Sequence, residues 1–157
     1  MKIISIDPGY ERVGIAVLEK TNSKEAVIYS DCFKTKSEIS LNERISLIGK
    51  EIERIINEFK PEALAIEKLF FTTNQKTAMG VSEARGVIIN EAQKMGLKIF
   101  EYTPLQVKIA VTGYGKSDKK AVMAMVKKLI QKHDLVSDDE TDAIAIGLTY
   151  FASRKIF

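Results

Sequence analysis

Cysteine, histidine, proline and tryptophan are almost missing from this chain. Its 157 residues include one Cys, one His, three Pro and no Trp. A single cysteine, Cys32, excludes an intrachain disulfide framework, and one thiol with one imidazole excludes a structural zinc cluster. With only nine glycines and three prolines, collagen-like and linker-like compositions are excluded as well. No run approaches the ~18 uninterrupted apolar residues of a membrane-spanning helix. What is present resembles an ordinary globular domain, with 45% hydrophobic and 29% charged residues and a mean hydropathy of −0.06. The length predicts one domain over residues 1–157. The chain enters β-type sequence at once, without the basic-then-apolar layout of an export signal, so a reducing, cytoplasmic setting and no membrane are expected.

Charge of one sign is scarce in total, +3, but it is unevenly placed. The stretch from Lys94 to Lys132 carries nine lysines against two acids, Glu101 and Asp118. Such a segment is either a solvated helical face or a surface for a polyanion.

Hydrophobic periodicity orders the chain. Residues 2–7 read as a strand broken by Pro8-Gly9, and Gly14 to Leu18 and Ala26 to Phe33 read as two more, separated by the turn-rich Thr21-Asn22-Ser23. Short connections make these three antiparallel neighbours. A helix is expected from Ser40 to before Pro61, with Ile45, Ile48, Ile52, Ile55 and Phe59 on one face. Then come a strand at Ala63 to Ile66 ending at Glu67, a helix over Asn74 to Met95 capped by Gly96, and a strand over Leu97 to Tyr102. Helical patterns follow near Pro104 to Val111, Asp118 to Lys132 and Asp138 to Ser153. The order predicts an α/β domain: a five-stranded mixed sheet, strands 1–3 antiparallel and strands 4 and 5 parallel to strand 1, with helices on both faces.

Acids stand at the ends of these elements. Asp7, in Ile6-Asp7-Pro8-Gly9, closes the first strand, and Glu67, in Ala65-Ile66-Glu67, closes the fourth. In open α/β sheets the carboxyl ends of strands are where sites form. Asp139 and Asp142 share one face at the start of the last helix, although Asp138 and Asp142, four apart, would also share one. Each feature alone has a plainer reading, as a turn or as complement to the helix dipole. Together, four acids within a few ångströms would resist joint ionisation unless a cation sat among them. Oxygen-only donors suit Mg²⁺, with Mn²⁺ as a substitute, and two such ions can activate water for phosphodiester hydrolysis. Beside a lysine-rich stretch, this chemistry points to a nuclease.

In chain order, Ile6-Asp7-Pro8-Gly9, Ala65-Ile66-Glu67 with Phe70 and Asn74, Ala84-Arg85-Gly86, Gln106-Val107-Lys108 and Asp139-Glu140-Thr141-Asp142-Ala143 resemble the RuvC family of Holliday-junction resolvases, within the ribonuclease H-like fold. The resemblance covers nearly the whole chain. It implies a homodimer that recognises four-way DNA junctions and nicks two opposed strands using divalent metal, about two ions per site. It also implies a branch-migration motor as a further partner, and a place in recombination and repair. By that resemblance the catalytic and metal-binding acids are Asp7, Glu67, Asp139 and Asp142, and Phe70 is the junction-core aromatic. Lys108 and Lys119 are the basic residues important to activity, and Asn74 and Arg85 join them as expected DNA contacts. Lys116 and Lys120 add charge beside these motifs and are expected to bind phosphate. From its position, Phe70 can wedge against or stack on an unpaired base, whereas the adjacent Phe71 reads as core. Lys119 can neutralise charge developing on the phosphate.

Three other readings compete. Asp7-Pro8-Gly9 with Gly14 resembles the first phosphate loop of actin-like ATPases, but those need two such domains and a second Gly-rich loop. A non-enzymatic junction-binding module would not need the four acids. Another single-domain ribonuclease H-like nuclease, acting on RNA or other branched DNA, would share the chemistry.

Overall fold

The computed structural model describes residues 1–22, 24–69, 75–130 and 137–154. Phe70, Phe71 and Asn74 therefore lie outside the described residues. Five strands form one sheet: β1 (Lys2–Asp7), β2 (Arg12–Thr21), β3 (Lys24–Lys34), β4 (Ala63–Glu67) and β5 (Lys98–Tyr102), in the order β3-β2-β1-β4-β5. β1 pairs antiparallel with β2, and β2 with β3, while β4 runs parallel to both β1 and β5. This is the mixed sheet that the order of elements predicted.

Period-two alternation divides the core into two layers. Ile4, Ile6, Val13, Ile15, Val17, Leu64 and Ile66 point to one side and meet Ile48, Ile52 and Ile55 of α1 (Leu41–Phe59) and Ala84, Ile88 and Ala92 of α2 (Gln75–Lys94). Ile3, Ala16, Leu18, Ala63 and Ala65 point to the other, covered by α3 (Pro104–Thr112), α4 (Lys119–Ile130) and α5 (Asp138–Ser153). Helix α5 is the most deeply set, with Tyr150 and Phe151 fully buried. It approaches the sheet closely at Gly147, where a Cβ would lie 2.8 Å from the Ser5 hydroxyl.

Helix boundaries follow local chemistry. Ser40 and Glu43 form a reciprocal capping box on α1, Thr103 and Gln106 on α3, and Ser137 and Glu140 on α5. Gly96, at φ 76°, ends α2, with the Leu97 amide donating to the Ala92 carbonyl at 3.0 Å. Consequently Leu97 belongs to the cap and β5 starts at Lys98, one residue later than predicted. α4 starts at Lys119 because the Asp118 carboxylate caps it, accepting from the Ala121 amide at 2.8 Å. β2 and β3 run well past their apolar centres, since their polar ends still pair. Lys20 stands opposite Glu25 and binds it at 3.1 Å.

Candidate active site

Strand parity and register place the site before any side chain is considered. β1 and β4 are parallel neighbours with Ile6 beside Ile66, so Asp7 and Glu67 follow at adjacent strand ends. Both share the face of Ile3, Ser5, Ala63 and Ala65, the face that carries α5. Across β1, Asp7 stands opposite Gly14. The first turn of α5 rests on this glycine so closely that a Cβ there would collide with the Asp139 carbonyl oxygen. That contact brings Asp139 and Asp142 to the strand ends carrying Asp7 and Glu67.

Two clefts meet at Glu67. One, of about 280 Å³, is lined by Asp7, Pro8, Glu67, Lys68, Thr77 and Pro104 among others. The second, of about 200 Å³, is lined by Glu67, Pro104, Val107, Lys108, Lys119, Val122 and Asp142. Lys108 and Lys119, drawn from two helices, thus face the same space as two of the acids.

Electrostatics mark the acids as a coupled group. Burial pushes the Asp7 carboxyl up to about 8, reinforced by Glu67, Asp142 and Asp139, with Lys119 acting in the opposite sense. Glu67 is raised by burial and by Asp142. Asp142 is raised by burial, although Lys119 pulls it down in part. Burial alone would lower Lys119, but Asp142 and Asp138 more than offset it and hold the ammonium above its usual value.

The four acids surround one end of the sheet without converging on a point. Among the described residues no three His, Cys, Asp or Glu side chains are placed to hold one ion. Protein cations take up the charge instead. Arg12 binds Asp139 at 2.6 Å, and Lys119 lies 3.2 Å from Asp142 and 3.4 Å from Asp138. The expected packing of four carboxylates within a few ångströms is therefore looser here, because Asp139 is drawn toward Arg12 and the Cys32 thiol, 3.5 Å away. The donor set nevertheless suits a divalent cation. It consists of carboxylates only, and three of them are held above their usual range, by burial first and then by neighbouring carboxylates.

Arg85, Lys116 and Lys120 line neither of these clefts. Arg85 turns inward: its Nε donates to the Glu67 carbonyl oxygen at 3.1 Å and its guanidinium binds Glu101 at 2.5 Å. It fixes the end of β4 in place. Lys116, in the loop between α3 and α4, and Lys120, in the first turn of α4, are exposed. Phe70 and Asn74 lie outside the described residues. Sequence reasoning passed over Arg12, whose signal was parity: it lies two residues from Gly14 on the same face of β2, with Lys34 opposite on β3. It also passed over Ser137, whose Ser-x-x-Glu spacing with Glu140 marks the start of α5.

Known proteins share this sequence pattern and fold. The family model of crossover junction endodeoxyribonuclease RuvC matches residues 3–150. The curated RuvC of Thermosipho melanesiensis is 47% identical over 148 residues, covering 94% of each chain. That of Finegoldia magna is 41% identical over 156 residues, covering 99% of this chain and 95% of its own. The solved structure of T. thermophilus RuvC in complex with Holliday junction substrate superposes with a TM-score of 0.92 at 30% identity, covering 99% of this chain and 96% of the other. A yeast mitochondrial Holliday junction resolvase, at 14% identity and TM-score 0.69, shares the fold. Matched along nearly all of its length by the family model and by relatives of more than 40% identity, the chain belongs to the RuvC family of crossover junction endodeoxyribonucleases.

Proposed function

We propose that this protein is a structure-specific DNA endonuclease that resolves Holliday junctions by nicking two opposed strands symmetrically, in recombination and repair. The observation that carries the reading is the juxtaposition of Asp7 and Glu67 on adjacent parallel strands, with Asp142, Lys108 and Lys119 around the same clefts. Membership of this nuclease family implies dependence on a divalent metal. We assign it as Mg²⁺, two ions per site, held by Asp7, Glu67, Asp139 and Asp142. Asp139 is preferred to Asp138 because it is the more sheltered of the two carboxylates and bears on Asp7, whereas the Asp138 side chain is 58% exposed. When bound, the metal activates water and steadies the leaving oxygen.

The chain's own residues prepare that chemistry. Arg85 holds the Glu67 backbone. Lys119 stands over Asp142, where its charge opposes the negative charge that develops on the scissile phosphate. Lys108 holds a neighbouring phosphate, while the exposed Lys116 and Lys120 bind phosphates of the duplex arms. Phe70 opens the strand-exchange point and Asn74 contacts DNA beside it, both by family resemblance. A two-fold junction is matched by two equivalent sites, so the working form is a homodimer, with residues 1–157 of each chain acting as one nuclease domain. A branch-migration motor and a cytoplasmic setting complete the assignment. Among the described residues, no helix is long and apolar enough to cross a membrane.

Asp7→Asn tests the catalytic role. It removes a charge while nearly keeping volume, so cleavage of a labelled four-way junction in Mg²⁺ should fall by orders of magnitude while junction binding persists or tightens. Cleavage at the parental rate would refute the assignment.

A further inference from the structure

Helix α3 is more apolar than its packing requires. Val107 and Val111 are buried, as one face of a surface helix should be, yet Leu105 remains 56% exposed and Ile109 49%. Just beyond the helix, Tyr114 is 60% exposed. Leu105, Lys108, Ile109 and Thr112 are spaced i, i+3, i+4 and i+7, so they form one outward stripe. The loop continues it. A Cβ on Gly115 would lie 2.6 Å from Leu105 Cδ1 and 3.3 Å from Ile109 Cγ1, so the Tyr114 loop rests directly on the two exposed side chains.

That loop is fixed in shape. The Tyr114 amide donates to the Thr112 hydroxyl at 3.2 Å, and the Ser117 amide donates to the Tyr114 carbonyl at 3.2 Å. Thr112 is itself bonded to the Lys108 carbonyl at 2.7 Å. An aromatic ring on an ordered backbone loses little further freedom on binding, having two side-chain torsions.

The surroundings identify the partner. At one side of the stripe Lys108 lines the cleft shared with Glu67, Lys119 and Asp142. Beyond Tyr114 comes the exposed Lys116. Apolar groups interleaved with lysines fit nucleic acid, where bases stack on aromatic rings and cations hold phosphates. The core of a protein–protein interface is instead depleted of lysine.

We infer that Leu105, Ile109 and Tyr114 form a contact surface for the DNA strand leaving the cleavage cleft, with Tyr114 stacking on a base that has left its duplex. The inference rests on the junction-nuclease reading and adds to it a site for a nucleotide near the scissile phosphate.

The test uses a fluorescein-labelled synthetic four-way junction, bound without divalent cation across a salt series. A second junction carries 2-aminopurine next to the mapped cleavage point. Tyr114→Ala should weaken binding by about tenfold at every salt concentration, leaving the log-log salt slope unchanged, because stacking releases no counterions. Lys116→Ala should lower that slope by about one. The parent and Tyr114→Phe should quench 2-aminopurine, and Tyr114→Ala should not. Parental affinity or parental quenching in Tyr114→Ala, beside a Lys116→Ala that behaves as stated, would overturn this inference alone. So would a Tyr114→Ala that sediments as monomer where the parent is dimeric, since the stripe would then belong to a second copy of the chain. No junction binding by the parent would overturn the functional reading itself, and the inference with it.

Discussion

At the scale of residues, a buried carboxylate cluster is a source of instability until a cation joins it. Asp7 ionises with difficulty in the fold, at about 8 against an ordinary value of 3.8. Its folded-state value lies above its unfolded one, so the stability it contributes is present in full below pH ~4 and is lost as pH rises through about 8. Glu67 and Asp142 shift in the same direction. Metal-free protein should therefore melt at progressively lower temperature as pH rises from 5 to 9, a range chosen to bracket Asp7 titration, with Asp7 contributing on the order of a few kcal/mol. Asp7→Asn should flatten that dependence, and Mg²⁺ should restore the parent at high pH. A parental melting temperature that climbed with pH in chelator would contradict the electrostatic picture. Arg12 makes a second case. It occupies Asp139 at 2.6 Å, so Arg12→Ala should free that carboxylate and bind Mn²⁺ several-fold more tightly, read from the free-ion signal in electron paramagnetic resonance. Weaker Mn²⁺ binding would mean that Arg12 holds Asp139 in its ligating position instead.

At the scale of elements, the site depends on how closely α5 lies on β2. The Gly14 contact is with backbone at Asp139, so no change of rotamer can relieve an added methyl. Gly14→Ala should cost about 1–3 kcal/mol in denaturant unfolding and should reduce cleavage beyond what lost stability explains, because it moves Asp139 and Asp142 off the strand ends. Unchanged cleavage would place the acids' positioning elsewhere. The same contact shows what sequence could and could not convey. Strand centres, the helical faces and the acids at the ends of β1 and β4 were legible, since each follows from a local period or a local break. The ends of β2 and β3 were not, because Lys20 and Glu25 look like loop residues until they are paired. Arg12 was invisible for a related reason: parity assigns it to the α5 face only once Asp7 is registered against Gly14. Arg85 stood out by its motif, but the contacts of its guanidinium with the Glu67 carbonyl and Glu101 are a tertiary arrangement no spacing encodes.

For the whole molecule, the two layers of the core divide the labour. Helices α1 and α2 back one face of the sheet, while α3, α4 and α5 cover the other and bring Lys108, Lys119 and Asp142 to the cleft at Glu67. The small net charge of +3 conceals this polarity. Lysines gathered between positions 94 and 132 offset the field of the acids, which would otherwise repel a polyanion from its own cleavage site. Such an arrangement gains most from a substrate whose two-fold symmetry presents equivalent strands to two copies of the site. The central claim is therefore tested most directly by mapping cuts on a synthetic four-way junction labelled separately on each strand, in Mg²⁺ and in chelator. The account predicts nicks at symmetric positions on two opposed strands, only with metal, and none in duplex arms assembled as linear DNA. Cutting that ignored the junction, or that fell on one strand or on adjacent strands, would contradict it.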